Sequence, residues 1–589
     1  MITPVEYKHG ALRENERTAR FSLWAPNAAQ VAVVFSDGLP HAMHAEEDGW
    51  FSARLECATG ATYRFLIDQS LLVPDPASRA QIEGVYGPSQ LVDHNAYRWQ
   101  TADWRGRPWH EAVIYELHVG LFGGFSGVEA FLPTLVELGV TAIELMPLGE
   151  FPGRRNWGYD GVLPFAPSSV YGTPAQLKRL IDKAHSLGLM VLVDVVYNHF
   201  GPEGNYLGHY ALAFFHAEGQ TPWGASIDFQ RPQVRDFFCE NALMWVLDYR
   251  VDGLRLDAVH AIPEQDFLVE LAERVHRAVG ANRQVHLILE NEDNTADLLE
   301  KGYVAQWNDD WHNVLHVLLT GERQGYYADF AEDPTHKLRR CLAEGFVYQG
   351  QLNRHGQARG ETSAHLPPTA FVLFLQNHDQ VGNRAFGERL IELVDEDALK
   401  AAIALLLLCP MVPLLFMGED WGARQPFLYF TDYRDPLASA VREGRRNEFS
   451  EFAEFADPAQ RARIPDPNAL SSFTDSQPLF APQQDPAQQT WRDYYQALLK
   501  LRREHLVARL PGAHSERLSL FADGALAAIW RLGDGSLLRI DLNLSDSTVH
   551  GEALAPGVQL LFSHGLDLGH FAQGTLAPRS IAVSLEARP

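Results

Sequence analysis

The sequence predicts an α/β fold, a (β/α)8 TIM barrel flanked by an N-terminal immunoglobulin-like β-sandwich and a C-terminal β-sandwich. Three observations carry this. Between residue 113 and about residue 501, eight short apolar, β-prone runs alternate with helix-like stretches, the pattern of a parallel sheet with crossover helices. Up to about residue 100, and again from about residue 510, the pattern changes to short alternating strands punctuated by turn dipeptides. At 589 residues the chain is too long for one ordinary core, and length alone suggests about three domains.

Taken in order, residues 1–100 carry strand-like runs at 21–24, 31–35 and 63–67, with turns at Asp37-Gly38 and Asp48-Gly49. The barrel is assigned to residues 101–509, with strands at 113–119, 142–146, 190–195, 252–256, 285–289, 303–306, 370–375 and 413–416. Helices are expected between them, among them 174–187 after a YGTP turn, 397–408, and a closing helix at 491–509. Residues 200–231 have Gly, Pro, Tyr and Trp but little periodicity, and read as an excursion forming one wall of a cleft. Residues 401–418 are apolar, but Pro410 and Pro413 split them below the roughly 20 residues of a membrane span. They read as a buried helix followed by a buried strand. Residues 466–487, rich in Pro, Ser and Gln, read as a surface loop. In residues 510–589 the runs 517–521, 525–531 and 537–542 are separated by Asp523-Gly524 and Asp534-Gly535, a meander of hairpins.

Composition narrows the function classes. The chain has 49 basic and 75 acidic residues, a net charge of -26, which argues against nucleic acid or an anionic membrane as partner. Cys57, Cys239, Cys341 and Cys409 are scattered without a CxxC pair, so neither a disulfide framework nor a zinc site is suggested. The first twenty residues lack the apolar run of a signal peptide, and a cytoplasmic protein is expected, in which the Asn543-Leu-Ser545 sequon has no meaning. No metal-ligand spacing and no Gly-rich phosphate loop is present, so no metal or cofactor is expected.

The stretch VDGLRLDAVH, residues 251–260, organises the rest. On a strand alternate residues share a face, so Gly253, Arg255 and Asp257 lie on one side and Leu254 and Leu256 on the other. Burying a charge is costly unless it is paired. A guanidinium beside Asp257 therefore presents an ionised, positioned carboxylate, as a nucleophile requires; a purely structural ion pair is the plainer reading. In a barrel of this kind the residues just after the strands form the active site. DVVYNH (Asp194 to His199) follows the third strand, LENED with Glu290 the fifth, and QNHDQ with His378 and Asp379 the seventh.

These four segments resemble, in order and on matching strands, the signature regions of the α-amylase superfamily of glycoside hydrolases, and WAPNA at residues 24–28 resembles the N-terminal module of its branching and debranching members. The resemblance implies that Asp257 is the nucleophile, Glu290 the general acid/base and Asp379 the group that grips the sugar hydroxyls as the ring flattens. It implies that His199 and His378 contact the same sugar and that Arg255 orients Asp257. Asp194 either supports the base of the pocket or is a structural acceptor. Retaining hydrolysis places its two carboxyl groups about 5–5.5 Å apart, and adjacent strands lie about 4.8 Å apart. Glu292 and Asp293 are rival acids, but Glu290 directly follows the apolar strand, and His260 reads as packing or a remote sugar contact.

Residues 146–161, 305–322 and 427–449 are further similar to the maltooligosyltrehalose trehalohydrolase family. That implies cleavage of the α-1,4 bond beside a terminal trehalose, release of trehalose, and a companion maltooligosyltrehalose synthase. Trp157 and Tyr159 are flat faces suited to stacking on glucose, or else loop packing, and Asp160 with the run Asn308, Asp309, Asp310 supplies acceptors for hydroxyls. The alternatives are a glycogen branching enzyme, which passes the glycosyl group to another glucan, and a non-catalytic glucan-binding protein, which would have lost its acidic triad.

Overall fold

The computed structural model describes residues 6–221, 224–450, 452–555 and 557–587. The first five residues of the segment read as lacking a signal peptide therefore lie outside the described residues, as do 222–223 of the excursion.

Eight parallel strands close into a barrel in strict chain order: Ile114–Leu117, Ala142–Leu145, Met190–Val195, Gly253–Leu256, His286–Leu289, Ala305–Trp307, Phe371–Leu373 and Val412–Phe416. Their inward positions are layered. At the N-terminal end Ile114, Met190, Leu192, Ile288, Val372 and Leu414 fill the barrel with apolar volume, as such barrels require. Towards the C-terminal ends the inward residues become Glu116, Glu144, Asp194 and Arg255, all buried. The interior thus changes from hydrocarbon to paired charge along its axis. The fourth strand sits close to its neighbours because Gly253 has no side chain: a Cβ there would lie 2.4 Å from the His286 carbonyl oxygen and 2.8 Å from Leu192.

The crossover helices follow their local signals. Pro174–Ser186 opens on a capping box, Thr173 with Gln176, and Pro at the first turn. Glu396–Leu408 is capped by Asp395, whose side chain accepts the Asp397 and Ala398 N–H groups. The closing helix starts earlier than expected, at Pro486 with Asp485 as its cap, so the end of the predicted surface loop is already helical.

The N-terminal region forms two facing antiparallel sheets, including Thr18–Trp24 and Trp50–Glu56 in one and Val31–Phe35 and Thr62–Ile67 in the other. It is tied to the barrel by the Glu240 carboxylate, which accepts the Lys8 and His9 N–H groups at 2.9 and 3.0 Å, and by Arg79 over Phe165 at 4.3 Å. The excursion contains a hairpin, Phe215–Thr221 with Gly224–Ile227, and packs on this module: Trp24 meets Phe214, and Leu212 N–H donates to Asn27.

The C-terminal region is a five-stranded antiparallel sheet, in which Ser580–Glu586 inserts between Leu537–Asn543 and Gln559–His564, backed by a two-stranded ribbon, Val549–His550 with Thr575–Leu576. Trp530 donates to the Leu342 carbonyl of a barrel helix and Gly524 N–H to Thr335, which fixes the sheet to the barrel. Asn543 of the sequon is fully buried and hydrogen-bonds Ser545, Ser547 and Ala577, a structural use of that side chain. All four cysteines are free. Among the described residues no helix is long and apolar enough to cross a membrane.

Candidate active site

The fourth and fifth barrel strands run in register, Leu256 opposite Leu289, so Asp257 and Glu290 are the next pair. The ladder continues past the strand ends: Asp257 N–H donates to Val195, Glu290 N–H to Leu256, and Val259 N–H to the Glu290 carbonyl, each at 3.0 Å. Both acids therefore stand on backbone fixed by sheet geometry. Asp194, on the third strand, lies opposite Arg255.

Arg255 joins these residues. Its guanidinium is fully buried and lies 4.2 Å over the Trp307 ring. Nη1 reaches Asp194 Oδ2 at 2.7 Å and Asp257 Oδ1 at 2.9 Å, and Nη2 reaches Glu290 Oε2 at 2.8 Å. Ala258, in the left-handed region at φ 40°, turns its N–H onto the same Glu290 oxygen at 2.8 Å. Asn198 donates to Asp257 Oδ2 at 2.9 Å and to the Asp257 carbonyl at 2.8 Å. The side chains of Arg255 and Asp194 are 0% and 2% exposed, those of Asp257 and Glu290 13% and 17%. Within this cluster it is Asp257 and Glu290 that a ligand can touch.

Asp379 arrives differently, on the short helix His378–Gly382 after the seventh strand, with its side chain 36% exposed. It accepts from Asn383 at 3.2 Å and pairs with His378 Nε2 at 3.4 Å. His378 is buried against Glu116 on the first strand, which accepts its Nδ1–H at 2.5 Å and its backbone N–H at 3.1 Å. Burial alone would lower this histidine; the Asp379 and Glu116 charges overcome it and raise the imidazole to about 10. His378 is thus an imidazolium held between two carboxylates. Tyr159 stacks on it at 4.9 Å and donates its hydroxyl to Asp194 at 2.6 Å, linking the two halves of the site.

Acids outnumber cations here, and burial together with the crowding of like charges raises three of the carboxyl groups. Burial pushes Asp194 up to about 7, with Arg255 pulling it down and Asp257 pushing it up. Burial, with the Glu116 and Asp194 charges, pushes Glu144 well above the usual carboxylate range. Burial, with Glu290 and Asp379, does the same to Asp309.

Several expectations are corrected. Trp157 offers no free face: it is 5% exposed, stacks on Phe427 at 5.1 Å and donates to the Leu428 carbonyl, so it is packing beneath the site. Asn308 is the cap of the helix Asp309–Thr320 and donates to Gly345. Asp310, fully buried, accepts from Asn294, Val347 and Tyr348. Neither is available to a sugar, and of that run only Asp309 faces the acids. His199 is buried with Nε2 against the Tyr159 carbonyl at 3.0 Å and Nδ1 against Asn198, so it braces the Tyr159 loop. Asp160 is partly exposed and accepts from Asn156 at 2.6 Å. Glu292 and Asp293 are exposed, and His260 Nδ1 accepts the Glu292 N–H, so the rival acids point away from Arg255. Glu116, Asn198 and Trp307 were missed. For Glu116 a signal existed, since an acid inside the apolar run Ile114–Leu117 demands a buried cation.

Among the described residues one group could approach a metal, His216, Asp228 and Glu264. There the imidazole lies between the acids, 3.9 Å from Asp228 and 3.2 Å from Glu264, and Arg231 already pairs with Asp228. These contacts join the excursion to the segment after the fourth strand.

The site can be compared with known proteins. The alpha amylase catalytic domain model matches residues 88–211, and a domain of unknown function matches residues 513–583. The malto-oligosyltrehalose trehalohydrolase of Saccharolobus solfataricus is 39% identical over 84% of this chain and 87% of its own length. That of Deinococcus radiodurans is 40% identical over 86% and 84%. A 1,4-alpha-glucan branching enzyme of Geobacillus stearothermophilus is 31% identical over a smaller share, 68% and 67%. A crystal structure from Salmonella typhimurium, described as a candidate alpha amylase, superposes with a TM-score of 0.92 at 42% identity, covering 99% of this chain and all of that one. The chain belongs to the malto-oligosyltrehalose trehalohydrolase family, on the α-amylase barrel.

Proposed function

We propose that the protein hydrolyses the α-1,4-glucosidic bond beside the terminal trehalose of maltooligosyltrehalose, with Asp257 as nucleophile and Glu290 as general acid and base. The observation that carries the chemistry is that these two acids follow in-register strands and meet the same guanidinium, at 2.9 and 2.8 Å. Two carboxyl groups held so near each other suit double displacement with retention. Asp257 attacks the anomeric carbon of the glucose before trehalose while Glu290 protonates the departing trehalose oxygen. Glu290 then takes a proton from water as that water releases the sugar from Asp257. Arg255 and Asn198 hold Asp257 in place; Asp379, partly exposed and backed by the His378 imidazolium, holds the hydroxyls of the distorted ring. Tyr159, partly exposed on its His378 stack, forms the platform beneath that ring, and Asp160 borders it.

For the trehalosyl end we assign a cavity of about 800 Å³ beside Asn383, walled by Tyr326, Tyr327, Phe449 and Phe452 and by the Arg384–Glu322 pair. It has the size of a small-molecule site and the aromatic faces and fixed polar groups that select a disaccharide. The substrate implies an upstream synthase that builds the trehalosyl end, and four free thiols suit the cytoplasm. Incubation with maltooligosyltrehalose and, separately, with amylose tests the reading. Trehalose release from the first supports it. A shift in iodine staining of the second without new small sugars would instead make the protein a branching transferase.

A further inference from the structure

Asp379 sits on a helix of five residues, His378–Gly382, too short to hold itself. Gly382, its last residue, is gripped from two sides. On one side the Trp157 ring leaves no room for a side chain: a Cβ on Gly382 would lie 2.1 Å from it. On the other side Arg445 donates Nη2 to the Gly382 carbonyl at 2.8 Å and to the Arg384 carbonyl at 3.0 Å. Arg445 comes from a separate segment, the helix Leu437–Glu448 beyond the barrel's last strand. It is only 7% exposed, its other arm bonds Glu448 at 2.9 Å, and it lies 4.8 Å over Phe449 and 5.8 Å over Tyr429. Tyr429 in turn stands edge-on to Trp157, so both jaws belong to one packed unit. An arginine fixed by two rings and a carboxylate loses little further freedom on binding two carbonyls. We propose that Arg445 is a positioning residue for the hydrolysis: although it lines the cavity given above to the trehalosyl end, it spends its donors on the Gly382 and Arg384 carbonyls and on Glu448, and sets where Asp379 stands by clamping the end of its helix. This rests on the role given to Asp379 above.

The test is a double-mutant cycle on trehalose release from maltooligosyltrehalose, with Arg445→Ala, Asp379→Asn and the double variant, each first checked for a cooperative melt. A misplacement on the 1 Å scale can cost about 100-fold in rate, so Arg445→Ala is expected to lose about that much kcat with KM changed less than about threefold. In the Asp379→Asn background the same substitution is expected to cost less than about threefold, because residues acting through one another are not additive. Added guanidinium at low millimolar concentration is expected to restore part of the Arg445→Ala rate and none of the double variant's. An equal loss in both backgrounds, or wild-type kcat in Arg445→Ala, would overturn the proposal. Should Arg445→Ala fail to fold, Arg445→Lys, which keeps the charge but not the paired donors, replaces it with the same two criteria. Were Asp379→Asn itself fully active, the role of Asp379 would fail instead, and guanidinium rescue of Arg445→Ala alone would decide whether Arg445 positions another group.

Discussion

The site is built in two halves that are held in different ways. Asp257 and Glu290 stand on backbone whose hydrogen bonds extend the barrel ladder, and one buried guanidinium spans them. Asp379 stands on a short helix after the seventh strand, held by His378, Asn383 and contacts from beyond the barrel. The two acids proposed to make and break bonds are placed by the scaffold; the acid proposed to grip the changing ring is placed by packed segments outside it. The first half should fail sharply when disturbed and the second by degrees.

Substitutions can break that contrast, beginning with the largest effect. Asp257→Ala is expected to lower kcat by about 10⁴-fold or more while leaving sugar binding, measured by calorimetry with the unreacted oligosaccharide. Near-parental turnover would refute its role. Arg255→Met leaves three carboxyl groups facing a hole, and removing one partner of a buried pair costs about 3–5 kcal/mol; denaturant unfolding should report a loss of that size, and stability within about 1 kcal/mol of wild type would contradict the linchpin role.

On the second half the effects should be smaller. Glu116→Gln removes one of the two anions that raise His378, a charged hydrogen bond worth about 1.5–3 kcal/mol. We expect about a tenfold loss of kcat/KM, and an alkaline limb of the pH–rate profile displaced to lower pH, because the imidazolium then loses its proton sooner. Since His378 is raised from 6.5 to about 10, its contribution to stability is full below pH 6.5 and declines as pH climbs towards 10, where the folded state also gives up the proton. Wild-type melting temperature should therefore fall across that window more steeply than that of Glu116→Gln. Parallel curves would dismiss the imidazolium. The smallest effect is expected for Tyr326→Ala, a rise in KM of about threefold to tenfold, the scale of one polar contact. It should appear with maltooligosyltrehalose and not with a plain maltooligosaccharide; an equal rise for both would remove the cavity from trehalose selection.

The same contrast explains what could be read from sequence. The strands were legible because each is a short apolar run between helical stretches: Val31–Phe35 and Met190–Val195 fall where expected, and the other barrel strands differ by a few residues at their ends. The placement of Asp257 and Glu290 at neighbouring strand ends was legible because they directly follow such runs. Trp157, Asn308 and Asp310 were misread because a side chain's free face depends on what packs against it. Phe427 covers Trp157, while Gly345 and the Val347–Tyr348 backbone engage the other two. Glu116 was hidden because its partner, His378, lies 262 residues away. The start of the closing helix was missed although Asp485-Pro486 carries a cap and first-turn signature, because the surrounding composition read as loop.

The most direct measurement of the account's centre is stereochemical. Proton NMR in the first minutes of hydrolysis, before mutarotation, reports the configuration of the newly freed reducing end. Two carboxyl groups sharing one guanidinium predict the α-anomer first, by retention. Initial appearance of the β-anomer would mean a single displacement by water, and Asp257 could then not be the nucleophile.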